Sequence, residues 1–109
     1  MRSEEQRFLR NLLENSEVGC TRDMLRKLAF DMISRTQFNG LKHKFETDYF
    51  KPSEVIFELI TMWISFKGNE ATLINFEKIL RDHQLNADAG KCGVKHGYIY
   101  NVNRKITLR

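Results

Sequence analysis

The sequence predicts a single all-α domain, on three observations. Apolar residues recur every three or four positions over most of the first ninety residues, which is the period of a one-sided helix. Ser, Thr, Asn and Gly punctuate those stripes at helix-length intervals. Proline occurs once, at Pro52, so long stretches are free of the residue that breaks helices. With 109 residues the chain is one domain, large enough to bury a core without staples.

The first helix is expected from about residue 4 to 15. Ser3 is a candidate cap, Glu4 and Glu5 fill the first turn, and Phe8, Leu9, Leu12 and Leu13 share a face. Asn15, Ser16 and Gly19 end it. Thr21 caps the second helix, whose stripe is Met24, Leu25, Leu28, Ala29, Met32 and Ile33; Arg22, Arg26 and Lys27 fall off the stripe and face solvent. A weaker third segment begins at Ser34 or Thr36 and carries Phe38, Leu41 and Phe45. Gly40 weakens it by roughly 1 kcal/mol relative to alanine, and Arg35, Lys42, His43 and Lys44 make it basic.

Pro52 marks a helix start, because its missing N–H has no partner in a first turn anyway. Val55, Ile56, Leu59, Ile60 and Trp63 form the strongest stripe of the chain. Phe57, Met62, Ile64 and Phe66 widen it, so the fourth helix is expected to be central; Lys67-Gly68-Asn69 ends it. Asn69 is read as the cap of a fifth helix bearing Ala71, Leu73, Phe76, Ile79 and Leu80 and ending near His83. A short sixth helix is expected around Leu85, Ala87 and Ala89, with Asn86 as its cap and Gly90 and Gly93 as its close. Beyond it, β-branched and aromatic residues in a basic run read as an extended tail. The expected division is therefore a domain over 1–90 and a basic tail over 91–109.

Charge follows the same division. Residues 1–90 hold 13 Lys/Arg and 14 Asp/Glu, a net −1, while residues 91–109 hold five basic residues and no acid. The basic pI thus belongs to the tail, which argues against reading the domain as a nucleic-acid binder from pI alone. The alternative remains a small helical nucleic-acid-binding domain using the basic third helix and a tail with Tyr98 and Tyr100.

Catalytic and metal-binding constellations are absent from the sequence. No nucleophile elbow, HExxH or phosphate-cradling glycine loop is present, and His43, His83 and His96 lie far apart. Cys20 and Cys92 have no metal-ligand spacing, so no cofactor or metal is expected and both thiols are expected to be reduced. The N-terminus lacks a signal-peptide pattern and no apolar run is long enough for a bilayer, which makes the cytoplasm the expected location without membrane insertion.

The run Pro52-Ser-Glu-Val-Ile-Phe-Glu-Leu-Ile-Thr-Met-Trp63, the Ala71-Thr72-Leu73 helix start and the closing Leu80-Arg-Asp-His-Gln-Leu85 turn resemble a death domain over about 35 residues. Met24-Leu25-Arg26-Lys27-Leu28-Ala29 resembles that family's second helix. Asp23-Met24 stands where many members carry a tryptophan, and the third helix is basic where it is usually acidic. The resemblance implies a six-helix antiparallel bundle of death-fold type. It also implies an adaptor, of the Fas-associated or insect immune-signalling kind, acting in apoptosis or innate immunity through homotypic or heterotypic contacts with other death domains, including self-association.

Charge placement points to an interface independently. Arg22, Arg26, Lys27, Arg35, Lys42 and Lys44 cluster in the second and third helices. Glu4 and Glu5 lie in the first helix, and Glu54 and Glu58 in the fourth. A basic and an acidic patch on different faces suit head-to-tail docking. The like charges of Glu54 and Glu58, four apart, slightly destabilise their helix, which is consistent with service to a partner. The resemblance further implies that the loops after the fourth and fifth helices make contacts, which adds Lys67, Asn69 and Glu70 with Asp82, Asn86 and Asp88.

Overall fold

The computed structural model describes the backbone of residues 1–104 and the side chains of residues 1–95. Six α-helices occur among the described residues: α1 Ser3–Glu14, α2 Arg22–Met32, α3 Arg35–Leu41, α4 Pro52–Lys67, α5 Leu73–Asp82 and α6 Asn86–Arg104. Short 3-10 turns follow α3 (Lys42–Phe45) and α4 (Gly68–Glu70). No strand occurs among the described residues. No helix among them is long and apolar enough to cross a membrane.

Helix starts follow local chemistry. The Thr21 hydroxyl accepts from the Met24 N–H at α2, and Thr72 accepts from Asn75 N–H at α5. At α3, Ser34 accepts from the Gln37 N–H while the Gln37 side chain accepts from the Ser34 N–H, a reciprocal capping box. Pro52 is the first residue of α4. Three expected caps are displaced, Asn86 among them as the first residue of α6. Ser3 lies inside α1, with the Glu5 carboxylate accepting from the Arg2 N–H, and Asn69 lies in the 3-10 turn that precedes the Thr72 cap.

The Leu80–Leu85 turn has a defined physical form. The Leu85 N–H donates to the Leu80 carbonyl at 2.8 Å and the Gln84 N–H donates to Arg81 at 2.9 Å. Gln84 sits at φ 61°, in the left-handed region. These are the two bonds of a Schellman stop, with buried Leu80 and Leu85 supplying its apolar contact. The closing motif read in the sequence is therefore a helix C-terminus that leaves His83 at the tip of α5.

The core collects one stripe each from α1, α2, α4 and α5. Leu9 and Leu13 of α1, Leu25, Leu28 and Met32 of α2, Ile56, Leu59, Ile60 and Trp63 of α4, and Phe76 and Leu80 of α5 are buried. The Trp63 and Phe76 rings meet edge-on at 5.4 Å. Helix α4 packs on α1, α2 and α3, as the widest stripe predicts, while α6 packs chiefly on α5.

The tail expectation is corrected. Helix α6 does not close at Gly90 or Gly93 but continues to Arg104, so the boundary at residue 90 falls inside it. Ala89 and Cys92, three apart, are both fully buried, which carries the helix past the glycines. Gly93 passes close to Glu77 of α5; a Cβ there would lie 3.1 Å from its carboxylate. Glycine at this position answers helix–helix approach instead of ending the helix. The expected extended conformation of residues 105–109 lies outside the described residues.

Candidate functional site

The sequence-selected cations separate into two groups. Arg26 and Lys27, exposed on α2, and Lys42, exposed on the turn after α3, line one open cleft of about 480 Å³. Phe30 and Asp31 of α2 and Phe38 of α3 complete its walls, and His83 closes it from the end of α5. No ion pair among the described residues engages Arg26, Lys27 or Lys42. The remaining two α2/α3-side cations with defined contacts point elsewhere. Arg22 lies over the Phe50 ring at 5.2 Å and donates to the Thr47 carbonyl, which ties it to the α3–α4 connection. Lys44 reaches across to α4. Arg35 is exposed at the start of α3.

The acidic half of the expected interface has a different arrangement. Lys44 Nζ stands 3.7 Å from Glu54 and 3.4 Å from Glu58. The like-charged pair on α4 is thus bridged by a cation of the same chain, and this internal bridge offsets their repulsion. On α1, Glu4 pairs with Lys95 of α6 at 3.2 Å and Glu5 caps the helix. Lys95 is also held over the Phe8 ring, so one cation assigned to the tail belongs to the packed domain.

Among the residues after α4 and α5, Lys67 lies over the Phe66 ring, and Glu70 and Asp82 are exposed. Asp88 is corrected. It is 7% exposed and accepts from the Ser16 hydroxyl at 2.6 Å, which makes it a tie between the α1–α2 loop and α6 instead of a docking residue. Asn86 is the first residue of α6 and is exposed. The side chains of Tyr98 and Tyr100 lie outside the described residues.

Four contributors to the cleft, Phe30, Asp31, Phe38 and His83, are not singled out by charge in the sequence. Phe30 falls off the α2 core stripe and is 67% exposed, with its ring edge-on to Phe38 at 5.5 Å. A phenylalanine on the charged face of an otherwise clean amphipathic helix was the sequence signal. His83 meets the Asp31 carboxylate at 2.6 Å across 52 residues, a contact only tertiary packing could bring about.

Both cysteines are free. Burial, aided by the nearby Glu77 charge, pushes the Cys92 thiol up to about 12. Among the described residues no group of three His, Cys, Asp or Glu side chains is placed to hold a metal ion. Comparison of the chain with family models, with curated proteins and with solved structures finds no match.

Proposed function

We propose that the chain is a death-domain-type interaction module of the cytosol, which works by binding another protein and not by catalysis. The observation that carries the reading is the convergence of Arg26, Lys27 and Lys42 on one open cleft without an internal acidic partner among the described residues. Exposed cations gathered around a concavity steer an acidic partner and set its register. The six-helix architecture, the Pro52-initiated helix ending near buried Trp63, and the Thr72-capped α5 support the death-domain reading at the level of local structure. Under this reading the partner is another death domain in apoptotic or innate-immune signalling.

The test is a light-scattering mass measurement over protein concentration and salt, alone and with a panel of purified death domains. A discrete complex that weakens with salt and is lost on reversing Arg26 and Lys27 to Glu, with helicity unchanged, is the expected result. A folded double variant that binds as the parent does would overturn the assignment. Indifference to every death domain, with a salt-steep shift on adding oligonucleotide, would replace it with the nucleic-acid reading.

A further inference from the structure

The cleft has a shape as well as a charge. Phe30 sits one turn from Arg26 on α2, and its exposed ring is braced by Phe38 in an 85° edge contact. Phe38 stacks in turn near Phe45, centroids 6.4 Å apart, and Phe45 is 2% exposed within the core. A row of rings therefore runs from the interior to the surface and holds Phe30 in place. A preset aromatic face loses little conformational freedom when covered, the property of an interface anchor.

Three kinds of occupant can be compared on charge. A second copy could offer α4, where Glu54 and Glu58 lie beside half-exposed Phe57, but both carboxylates already share Lys44 within their own chain and would meet the cleft partly neutralised. A nucleic acid would meet only three cations, together with the Asp31 carboxylate in the wall and an apolar ring. A helix carrying spaced carboxylates around one bulky apolar residue matches both the cations and Phe30. We infer that the cleft between α2 and α3 takes an acidic amphipathic helix of a different protein, whose apolar anchor seats on Phe30 and Phe38 while its carboxylates meet Arg26, Lys27 and Lys42. The docking is heterotypic. This inference rests on the proposed binding role and adds the chemistry of the partner.

The experiment uses the full chain and a fluorescein-labelled synthetic helix of about 15 residues, roughly four turns, with glutamates flanking a central leucine. Anisotropy is read against salt, beside the same peptide with alanine for the leucine and beside a duplex oligonucleotide. The leucine peptide is expected to bind, with loss of roughly tenfold or more in affinity for Phe30→Ala and for the alanine peptide, as for an interface anchor. Phe30→Gln serves as a second variant; the ring is exposed, so both keep the parent circular dichroism. Equal binding by the leucine and alanine peptides, parent affinity in Phe30→Ala, no peptide binding, or stronger binding of the oligonucleotide would each overturn the inference. A death-domain complex lost on reversing Arg26 and Lys27 but untouched by Phe30→Ala would overturn the anchor and leave the proposed function standing. Loss in neither variant would end both.

Discussion

The Ser16 hydroxyl donates to the Asp88 carboxylate at 2.6 Å, joining the loop after α1 to the first turn of α6 across 72 residues. The same hydroxyl oxygen accepts from the Gly19 N–H at 2.8 Å, and both side chains are buried. A buried hydroxyl and carboxylate that satisfy each other are costly to separate, because either one left alone keeps its desolvation penalty. Asp88→Ala is expected to lower unfolding free energy by about 1–3 kcal/mol, read by urea denaturation. A loss under half a kilocalorie, roughly the scatter of neutral surface changes, would show the tie to be idle. Gly19→Ala is expected to fall in the same direction, since its Cβ would lie 2.7 Å from the Ser16 oxygen.

Lys44 is expected to matter little for stability at high salt and measurably at low salt. Its partners are 58% and 38% exposed, so the pairs are screened. Lys44→Glu places three acids together and is expected to cost about 1 kcal/mol or less at low ionic strength. Denaturation at two salt concentrations checks it, and a loss that grows with salt would contradict the bridge.

Trp63 and Phe76 are core and not interface. Trp63→Ala is expected to lose about 3–5 kcal/mol and to unfold much of the chain, so its loss of binding would carry no information about docking. Calorimetry distinguishes this from Phe30→Ala, whose melting is expected to match the parent.

Cys92 and Cys20 should differ in reactivity. Cys92 is fully buried with its thiol held up near 12, whereas Cys20 is half-buried beside the α1–α2 loop. Thiol titration is expected to modify Cys20 in the native protein and Cys92 only on unfolding. The linkage has a definite sign. The folded state retains the Cys92 proton where the unfolded chain releases it, so stability from this group is complete below about 9 and falls as pH rises towards about 12. Denaturation of Cys92→Ala across that window should show a flatter alkaline loss.

Gln84 occupies a left-handed position where glycine is favoured. Gln84→Gly is expected to stabilise by up to about 1 kcal/mol, and destabilisation would mean the side chain contributes contacts beyond the Schellman turn.

Local chemistry in the sequence determined much of the helical layout. The stripes of α1, α2, α4 and α5 are periodic enough to place Leu13, Leu28, Leu59, Trp63 and Phe76 inside, and Thr21 and Pro52 mark helix starts without outside help. The α5 start differs from the Asn69 expectation and α6 runs past Gly90 because a cap or a helix stop is decided partly by distant packing. Thr72 caps α5 after a 3-10 turn, and Ala89 with Cys92 holds α6 together against α5. Charge composition likewise marks Arg26, Lys27 and Lys42 together with Arg22, Lys44 and Asp88, without showing which of them share a cleft. Sequence states which charges exist, whereas tertiary structure decides which are already partnered. Lys44 with Glu54 and Glu58, Ser16 with Asp88, and His83 with Asp31 form only when separate segments meet, and the cleft around Phe30 is bounded by what those contacts leave open.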